Sequence, residues 1–243
     1  MQWCMKPVKH VSVNFEIVLG DLSAQDKRLA ALAKAARCLG DRVVVVAPAE
    51  QHSGCGHRVT TDRPLVVDEM TPGRFRVHGT PADCVRLGLA ELVPDATLVI
   101  SGINAGGNLG ADIHLSGTVA AAREAAFHGR PAVAASHYHS RANPIDWERA
   151  AEWLEGVLLG LGDRLTDVPG GFWNVNLPDL PAASIPPAIV ECPVDPSPLA
   201  LGYRLAEGGW HYDSSYHERP RVAGGDVAVC FSGGISLSRV RIV

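Results

Sequence analysis

The sequence lacks the features that mark several large classes of protein. Its 22 Lys and Arg residues are outnumbered by 26 Asp and Glu residues and are dispersed along the chain, giving a net charge of -4. No basic surface for a nucleic-acid polymer is therefore predicted. The six cysteines show no CxxC spacing. This argues against a zinc ribbon and against a disulfide framework, so we expect reduced and mostly buried thiols.

Long apolar segments and two common site motifs are also missing. No uninterrupted apolar run approaches the ~20 residues of a membrane span, and the first ten residues lack the apolar centre of a signal peptide. We therefore predict a cytoplasmic protein with no membrane partner. Because no GxGxxG follows the first strand, a dinucleotide-dependent oxidoreductase is disfavoured. His52 and His57 lack HExxH or any other spacing typical of metal ligands.

Short apolar runs alternate with helical patterns through the first two thirds of the chain. Runs rich in Val and Ile are typical of buried parallel strands. The alternation predicts an α/β fold, a Rossmann-like, doubly wound and mostly parallel sheet. The predicted strands are 13–19, 42–47, 96–100, 132–135 and 172–177, and the predicted helices are 24–39, 81–92, 118–128 and 147–161.

The composition of the sequence changes after Pro178. A proline-rich stretch, 181–198, precedes short runs that resemble strands and glycine turns, at 202–205, 209–212, 227–231 and 235–240. The prediction is a core over residues 1–180 and a β-rich C-terminal extension over residues 181–243. The extension is expected to be an oligomerisation arm.

The loop SGINAGGNLG, Ser101 to Gly110, follows a predicted strand and contains four glycines and two asparagines but no acid or base. Glycines allow backbone N–H groups to approach a ligand closely, and asparagine contributes neutral oxygens and amide donors. This composition suits a phosphate or a hard metal ion. A plain turn uses the same residues and remains an alternative.

Ser116-Gly117-Thr118 stands at the start of a helical pattern. The free N–H groups and the dipole of a helix start bind anions. Ser116 or Thr118 could equally be an ordinary N-cap, and one residue can do both. Two further stretches are HSGCGHRVT from His52, which follows the predicted strand 42–47, and HGTPADCV from His78, which opens the predicted helix 81–92. We expect His52 and His57 to lie at the surface or to support the site rather than to bind a metal, and the second stretch to cap a helix.

These stretches, in this order, resemble one family, the SurE 5'/3'-nucleotidases. The match rests on APAEQHSGCG, HGTPADCV, SGINAGGNLG, SGTVAAAREA and NVNLPD, and covers about residues 29–179. DVAVCFSGGISLS, from Asp226, is similar to the family's closing strand, whereas residues 1–12 have no counterpart. The resemblance implies a metal-dependent phosphomonoesterase that acts on nucleoside monophosphates and assembles as a homodimer or homotetramer.

The resemblance also implies a set of site residues. The metal, Mg²⁺ or Mn²⁺, would be held by Asp21, Ser53 and Asn104, and Asp21 is the candidate catalytic residue. The phosphate contacts would come from Asn108, Ser116, Gly117 and Thr118.

The chain departs from the family at its N-terminal loop. Gly20-Asp21-Leu22-Ser23 stands where the family has Asn-Asp-Asp-Gly, so only one of the two aspartates is present. A hard divalent ion is usually anchored by one or two carboxylates. An impaired nucleotide- or phosphate-binding protein is therefore the alternative to an active enzyme. Asp21 could also simply cap the following helix.

Overall fold

A nine-stranded β-sheet, parallel except at two strand pairs, forms the centre of the protein. The computed structural model describes residues 16–19, 27–40, 42–140, 144–181, 184–199 and 201–242. The strand order is β3-β4-β2-β1-β5-β6-β7-β11-β8, and β9 and β10 form a separate hairpin. The strands are β1 (Glu16–Leu19), β2 (Val43–Pro48), β3 (Val67–Thr71), β4 (Arg74–Val77), β5 (Leu98–Ala105), β6 (Ala132–His137), β7 (Gly171–Leu177), β8 (Ile189–Glu191), β9 (Tyr203–Ala206), β10 (Gly209–Tyr212) and β11 (Ile235–Arg241).

Helices cover both faces of the sheet. They are α1 (Lys27–Ala36), α2 (Pro81–Leu87), α3 (Gly117–Phe127), α4 (Trp147–Leu161) and α5 (Asp226–Phe231). Helices α1 and α4 pack in one apolar cluster, and α2 and α3 pack in another. Strand β5 contributes to both, because Leu98 and Ile100 point into the first and Val99 into the second. This alternation follows from the two-residue period of a strand buried on both faces.

Helix α4 illustrates how the sequence pattern produces packing. Asp146 caps its start by accepting the backbone N–H groups of Glu148 and Arg149. Leu154 and Leu158, four residues apart, are fully buried against the sheet. Burial of each such side chain contributes about 1.5–3 kcal/mol.

The structure confirms the predicted α/β class, with parallel strands at the centre and additional strands from the C-terminal part. It corrects one element: residues 227–231, predicted as a strand, lie in helix α5. A short apolar run does not distinguish strand from helix by periodicity. In the helix, Val227 and Cys230 are three positions apart and both buried. The sequence patterns also missed β3, β4 and β8, and the predicted helix 81–92 ends at Leu87 in a π-helical turn, Gly88–Leu92.

The C-terminal part of the chain contributes to the central sheet as well as to the hairpin. Strand β11 pairs antiparallel with β7 and parallel with β8. Strand β11 thus lies inside the main sheet. The boundary between a core over residues 1–180 and an extension over residues 181–243 stays a prediction.

The structure also bears on the expectations about membrane spans and cysteines. Among the described residues no helix is long and apolar enough to cross a membrane. Five cysteines are free in that part of the chain, and Cys84, Cys192 and Cys230 are buried. Burial raises the pKa of each of these three thiols, which favours the protonated form.

Candidate functional site

A cleft of about 350 Å³ lies beyond the carboxyl ends of β2 and β5. Strand β1 lies between these two strands and is hydrogen-bonded to both. From β1 the chain adds β2 and β4 on one side of the sheet and then β5 and β6 on the other, so the strand order reverses at this point. Ligands of doubly wound sheets bind at such a position. The cleft brings together every described residue of the predicted site. These are Ser53, Asn104, Asn108, Ser116, Gly117 and Thr118.

The end of β5 requires glycine. Gly102 has φ +136°, and a Cβ atom there would lie 2.2 Å from the carbonyl oxygen of Ala135 on the neighbouring strand β6. Two residues later, the Nδ2 atom of Asn104 donates to the carbonyl of Gly106 at 2.8 Å. Because this bond fixes the amide, the Oδ1 atom of Asn104 has a defined direction at the cleft.

The start of helix α3 forms one wall of the cleft. The Ser116 hydroxyl accepts the N–H of Val119 at 3.1 Å and is therefore the N-cap. In a helix, the N–H groups of the first positions, here Gly117 and Thr118, have no intrahelical carbonyl partner. The capping interpretation of Ser116 is thus compatible with anion binding by the two following N–H groups.

The loop that carries Ser53 is packed directly against this helix start. A Cβ atom at Gly117 would lie 3.1 Å from the Sγ atom of Cys55 and 3.2 Å from the carbonyl of His52. The N–H of Gly56 donates to the carbonyl of Leu115 at 2.9 Å. These contacts place the exposed Ser53 side chain and the helix start on the same cleft.

His57 links the loop of Ser53 to helix α3. The Nε2 atom of His57 lies 2.5 Å from the buried Glu124 carboxylate of α3, which also contacts His128 and Arg86. His57 therefore joins the loop of Ser53 to helix α3, with 21% of its side chain exposed.

Thr80 and Asp83 form the capping box expected at the start of α2. The Asp83 carboxylate also accepts the N–H and the hydroxyl of Thr60, at 2.8 and 2.6 Å. Burial raises the pKa of this carboxyl, but the hydrogen bonds from Thr60 and Thr80 together lower it by more than burial raises it. The pKa of Asp83 therefore lies below its ordinary value.

The cleft contains charged residues that sequence reasoning did not single out. Arg28, near the start of α1, and Glu50, two residues after β2, both line it. Glu50 belongs to the loop after a predicted strand, so its position gave a signal. Arg28 lies inside a helical pattern, and only the packing of α1 brings it to the cleft.

The oxygen donors of the cleft fit a hard cation. Ser53 and Asn104 contribute a hydroxyl and an amide oxygen, and Glu50 contributes a carboxylate on the same cleft. Within the described ranges, no group of three or more His, Cys, Asp or Glu side chains forms a metal site. Asp21, the predicted metal ligand and catalytic residue, lies outside the described residues, as does Leu22.

Asn108 is held in a different way from the neighbouring asparagine. It is 6 % exposed, and its Nδ2 atom donates inward to the Ser136 hydroxyl at 2.6 Å rather than into the cleft. The Oδ1 atom takes part in none of the hydrogen bonds between described residues that hold Asn108. Asn108 thus lines the cleft while its amide nitrogen is held by the buried Ser136 hydroxyl.

Comparison with known proteins gives a consistent result. The family model described as Survival protein SurE matches residues 19–191. A proposed 5'-nucleotidase of Nostoc sp. (strain PCC 7120) is 45% identical over 203 residues, covering 84% of this chain and 89% of the relative. The 5'-nucleotidase SurE of Geobacter sulfurreducens is 42% identical over 171 residues, 70% of this chain and 64% of the relative.

A solved structure extends the likeness to the fold. The crystal structure of the SurE protein from Aquifex aeolicus has a TM-score of 0.77 and 30% sequence identity with this chain. The match covers 94% of this chain and 93% of that protein.

Proposed function

We propose that this chain, which belongs to the SurE family, hydrolyses nucleoside monophosphates to nucleoside and phosphate with the help of a divalent metal ion. The family and the names of its relatives support the general class, a 5'-nucleotidase-type phosphatase. The single observation that carries the finer proposal is that one cleft contains Ser53, Asn104 and the start of helix α3.

The start of α3 is the proposed phosphate site. Backbone N–H groups of Gly117 and Thr118, together with the helix dipole, favour an anion there. Arg28 lines the same cleft and adds positive charge to it. These groups would hold the phosphoryl group in a fixed orientation and stabilise the charge of its oxygens during hydrolysis.

The proposed metal ligands are the carboxylate of Asp21, the hydroxyl of Ser53 and the amide oxygen of Asn104, with Mg²⁺ or Mn²⁺ as the ion. A bound divalent ion would polarise a phosphoryl oxygen and favour the deprotonated form of a bound water. Asp21 is two residues beyond Leu19, the last residue of β1, which lies between the strands that lead to Ser53 and Asn104. This sheet order supports the assignment.

An impaired nucleotide- or phosphate-binding protein is the second candidate. The observation that favours it is Leu22, which stands where the family has an aspartate. Leucine provides no oxygen for a metal and cannot act as a nucleophile or orient water. Under this alternative the start of α3 still binds phosphate, but turnover is absent.

A homo-oligomer is part of the proposal, and the β9–β10 hairpin is its contact surface. Leu205 and Trp210 are 64% and 70% exposed on this hairpin, and Tyr203 and Tyr212 are exposed beside them. Exposed apolar side chains concentrated on one element mark an interaction surface. The proposed occupant is a second copy of the chain, giving a homodimer or homotetramer.

The test is phosphate release from a panel of 5'- and 3'-nucleoside monophosphates with Mn²⁺, Mg²⁺ or EDTA, comparing the wild type with Leu22→Asp. Turnover by the wild type supports the nucleotidase. Turnover by Leu22→Asp alone supports the impaired alternative, and turnover by neither variant contradicts the enzyme proposal.

A further inference from the structure

Both backbone polar groups of Asn108 are bound by side chains from β7. The N–H of Asn108 donates to the Oδ1 atom of Asn176 at 2.8 Å, and the Nδ2 atom of Asn176 donates back to the Asn108 carbonyl at 3.1 Å. The Nδ2 atom of Asn174 donates to the same carbonyl at 2.9 Å. A side-chain amide thus makes the pair of bonds that a neighbouring strand normally makes.

We call Ser136, Asn174 and Asn176 the amide clamp. All three side chains are fully buried. Buried amides are costly unless they are hydrogen-bonded, so an apolar residue would be the simpler choice at these core positions. All three clamp residues hydrogen-bond Asn108, and this shared partner accounts for polar side chains at buried positions.

The loop around Asn108 needs such support. Gly106 has φ +140° and Gly110 has φ +53°, so the segment between them is flanked by residues of high conformational freedom. Asn104, a proposed metal ligand, lies two residues before Gly106 and donates to its carbonyl. Fixing Asn108 therefore fixes the loop between the proposed metal ligand and the phosphate-binding helix.

The C-terminal part of the chain supports the ends of the same loop. The fully buried Asp226 carboxylate accepts the N–H of Gly110 at 3.0 Å, and the Tyr216 hydroxyl donates to the carbonyl of Gly107 at 3.3 Å. Since these contacts remain when Asn176 is changed, loss of the clamp should displace the centre of the loop without unfolding the protein.

We propose that Asn176 is a positioning residue for the nucleotidase site, which sets the place of Asn108 and of its loop by pairing with the Asn108 backbone. This inference rests on the proposed function for its kinetic consequence. The amide is required because it presents an acceptor to the Asn108 N–H and a donor to the Asn108 carbonyl at the same time.

The test compares Asn176→Asp, Asn176→Val and the control Ser236→Ala. Asn176→Asp keeps the shape and the acceptor but places a carboxylate oxygen against the Asn108 carbonyl. Asn176→Val removes both hydrogen-bonding groups. Ser236 is the cross-strand neighbour of Asn176, is equally buried and has a hydroxyl with no hydrogen bond among the described residues. Its removal should leave kcat/KM unchanged.

The pH profile separates positioning from packing. At pH 8 both Asn176 variants should lose about tenfold or more in kcat/KM for a nucleoside 5'-monophosphate. As the pH falls, the activity of Asn176→Asp relative to the wild type should rise, because a neutral carboxyl group can donate to the Asn108 carbonyl as the amide does. The ratio for Asn176→Val should stay constant. A folded Asn176→Asp with wild-type kinetics, or with a pH-independent loss equal to that of Asn176→Val, would overturn the proposal.

Amide hydrogen exchange of the wild type tests the clamp without any turnover or variant. The N–H of Asn108 should exchange as slowly as core-strand amides, and at least about tenfold more slowly than the N–H of exposed loop residues such as Gly54. Fast exchange at Asn108 would overturn the proposal even if the variants do not fold. Slow exchange in a protein without nucleotidase activity would support the clamp and contradict the proposed function alone.

Discussion

The Nε2 atom of His57 lies 2.5 Å from the Oε2 atom of Glu124, and this contact joins the loop of Ser53 to the helix whose start lines the cleft. The Glu124 carboxylate is 6% exposed and lies within contact distance of two further side chains, His128 and Arg86. One buried acid thus connects the proposed metal side of the site to its phosphate side.

Replacement of Glu124 should be costly. Glu124→Ala removes the buried carboxylate that His57, His128 and Arg86 share, and we expect the free energy of unfolding to fall by about 1–3 kcal/mol. Urea denaturation measures this change. The matched control is Glu191→Ala, whose partner Arg164 is half exposed like Glu191 itself. That control should change stability by less than about 1 kcal/mol. Equal effects of the two variants would contradict the role given to Glu124.

Gly102 should be intolerant of any side chain. Gly102→Ala places a Cβ atom against the Ala135 carbonyl at a positive φ, so we expect a lower unfolding temperature and loss of turnover. Gly156→Ala is the control, because Gly156 lies in helix α4 with open space at its Cβ position. It should stabilise the protein by about 0.5–1 kcal/mol. Wild-type behaviour of Gly102→Ala would show that the end of β5 differs from this structure.

The pKa of Asp83 predicts how stability responds to acid. Its folded-state pKa is lowered, so the carboxylate contributes stability above its unfolded pKa, and this contribution is lost as the pH falls through the folded pKa. Thr60→Val removes one of the bonds that lower this pKa. At pH 7 the variant should lose about 1 kcal/mol.

The difference between Thr60→Val and the wild type should shrink as the pH falls through the lowered folded-state pKa of Asp83, where this carboxylate becomes protonated. Urea denaturation at pH 7 and pH 3 measures it. Thr166→Val is the control, since the Thr166 hydroxyl is exposed and bonds a backbone carbonyl rather than an acid. A difference that grows on acidification would contradict the assignment.

Leu22→Asp should strengthen metal binding. A second carboxylate in the N-terminal loop adds a hard oxygen ligand, so we expect the Kd for Mn²⁺ to fall by about tenfold or more. Calorimetric titration measures the Kd directly. Leu22→Asn is the control, because it adds a polar group of the same size without the negative charge. Equal Mn²⁺ affinity of the wild type and Leu22→Asp would contradict a metal site in this loop.

The hairpin should control assembly. Trp210→Asp places a charge on the exposed apolar surface of β10, and we expect it to convert the oligomer to a monomer. Light scattering coupled to size-exclusion chromatography measures the mass. Leu159→Asp, at an exposed apolar position on α4, is the control and should leave the mass unchanged. A wild-type monomer would contradict the proposed assembly.

The sequence predicted the central strands and helices because buried parallel strands and amphipathic helices have strong periodic patterns. It also predicted which loops meet, since the carboxyl ends of neighbouring parallel strands share one edge of the sheet. Edge strands such as β3 and β8 are mostly exposed and carry no such pattern. The amide clamp was missed because NVNLPD does not show that Asn174 and Asn176 bind a loop 66 to 68 positions earlier.

The roles given to Asp21 and Leu22, which lie outside the described residues, stay predictions made from the sequence. The cytoplasmic location is also such a prediction. Asp21 is the main example, because its assignment rests on its position in the motif and on the place of β1 in the sheet. Arg28 and Glu50, by contrast, were identified from the cleft, although the place of Glu50 after a predicted strand is a signal in the sequence. The local sequence around each resembles an ordinary helix or loop.

The most direct test of the central claim is phosphate release from a nucleoside 5'-monophosphate by the wild type and by Asn104→Ala while Mn²⁺ is titrated and then removed with EDTA. We expect EDTA to abolish turnover by the wild type, and Asn104→Ala to need about tenfold more Mn²⁺ for half-maximal rate, since it lacks one proposed ligand. Turnover that is insensitive to EDTA and equal in both proteins would contradict a metal-dependent nucleotidase at this cleft.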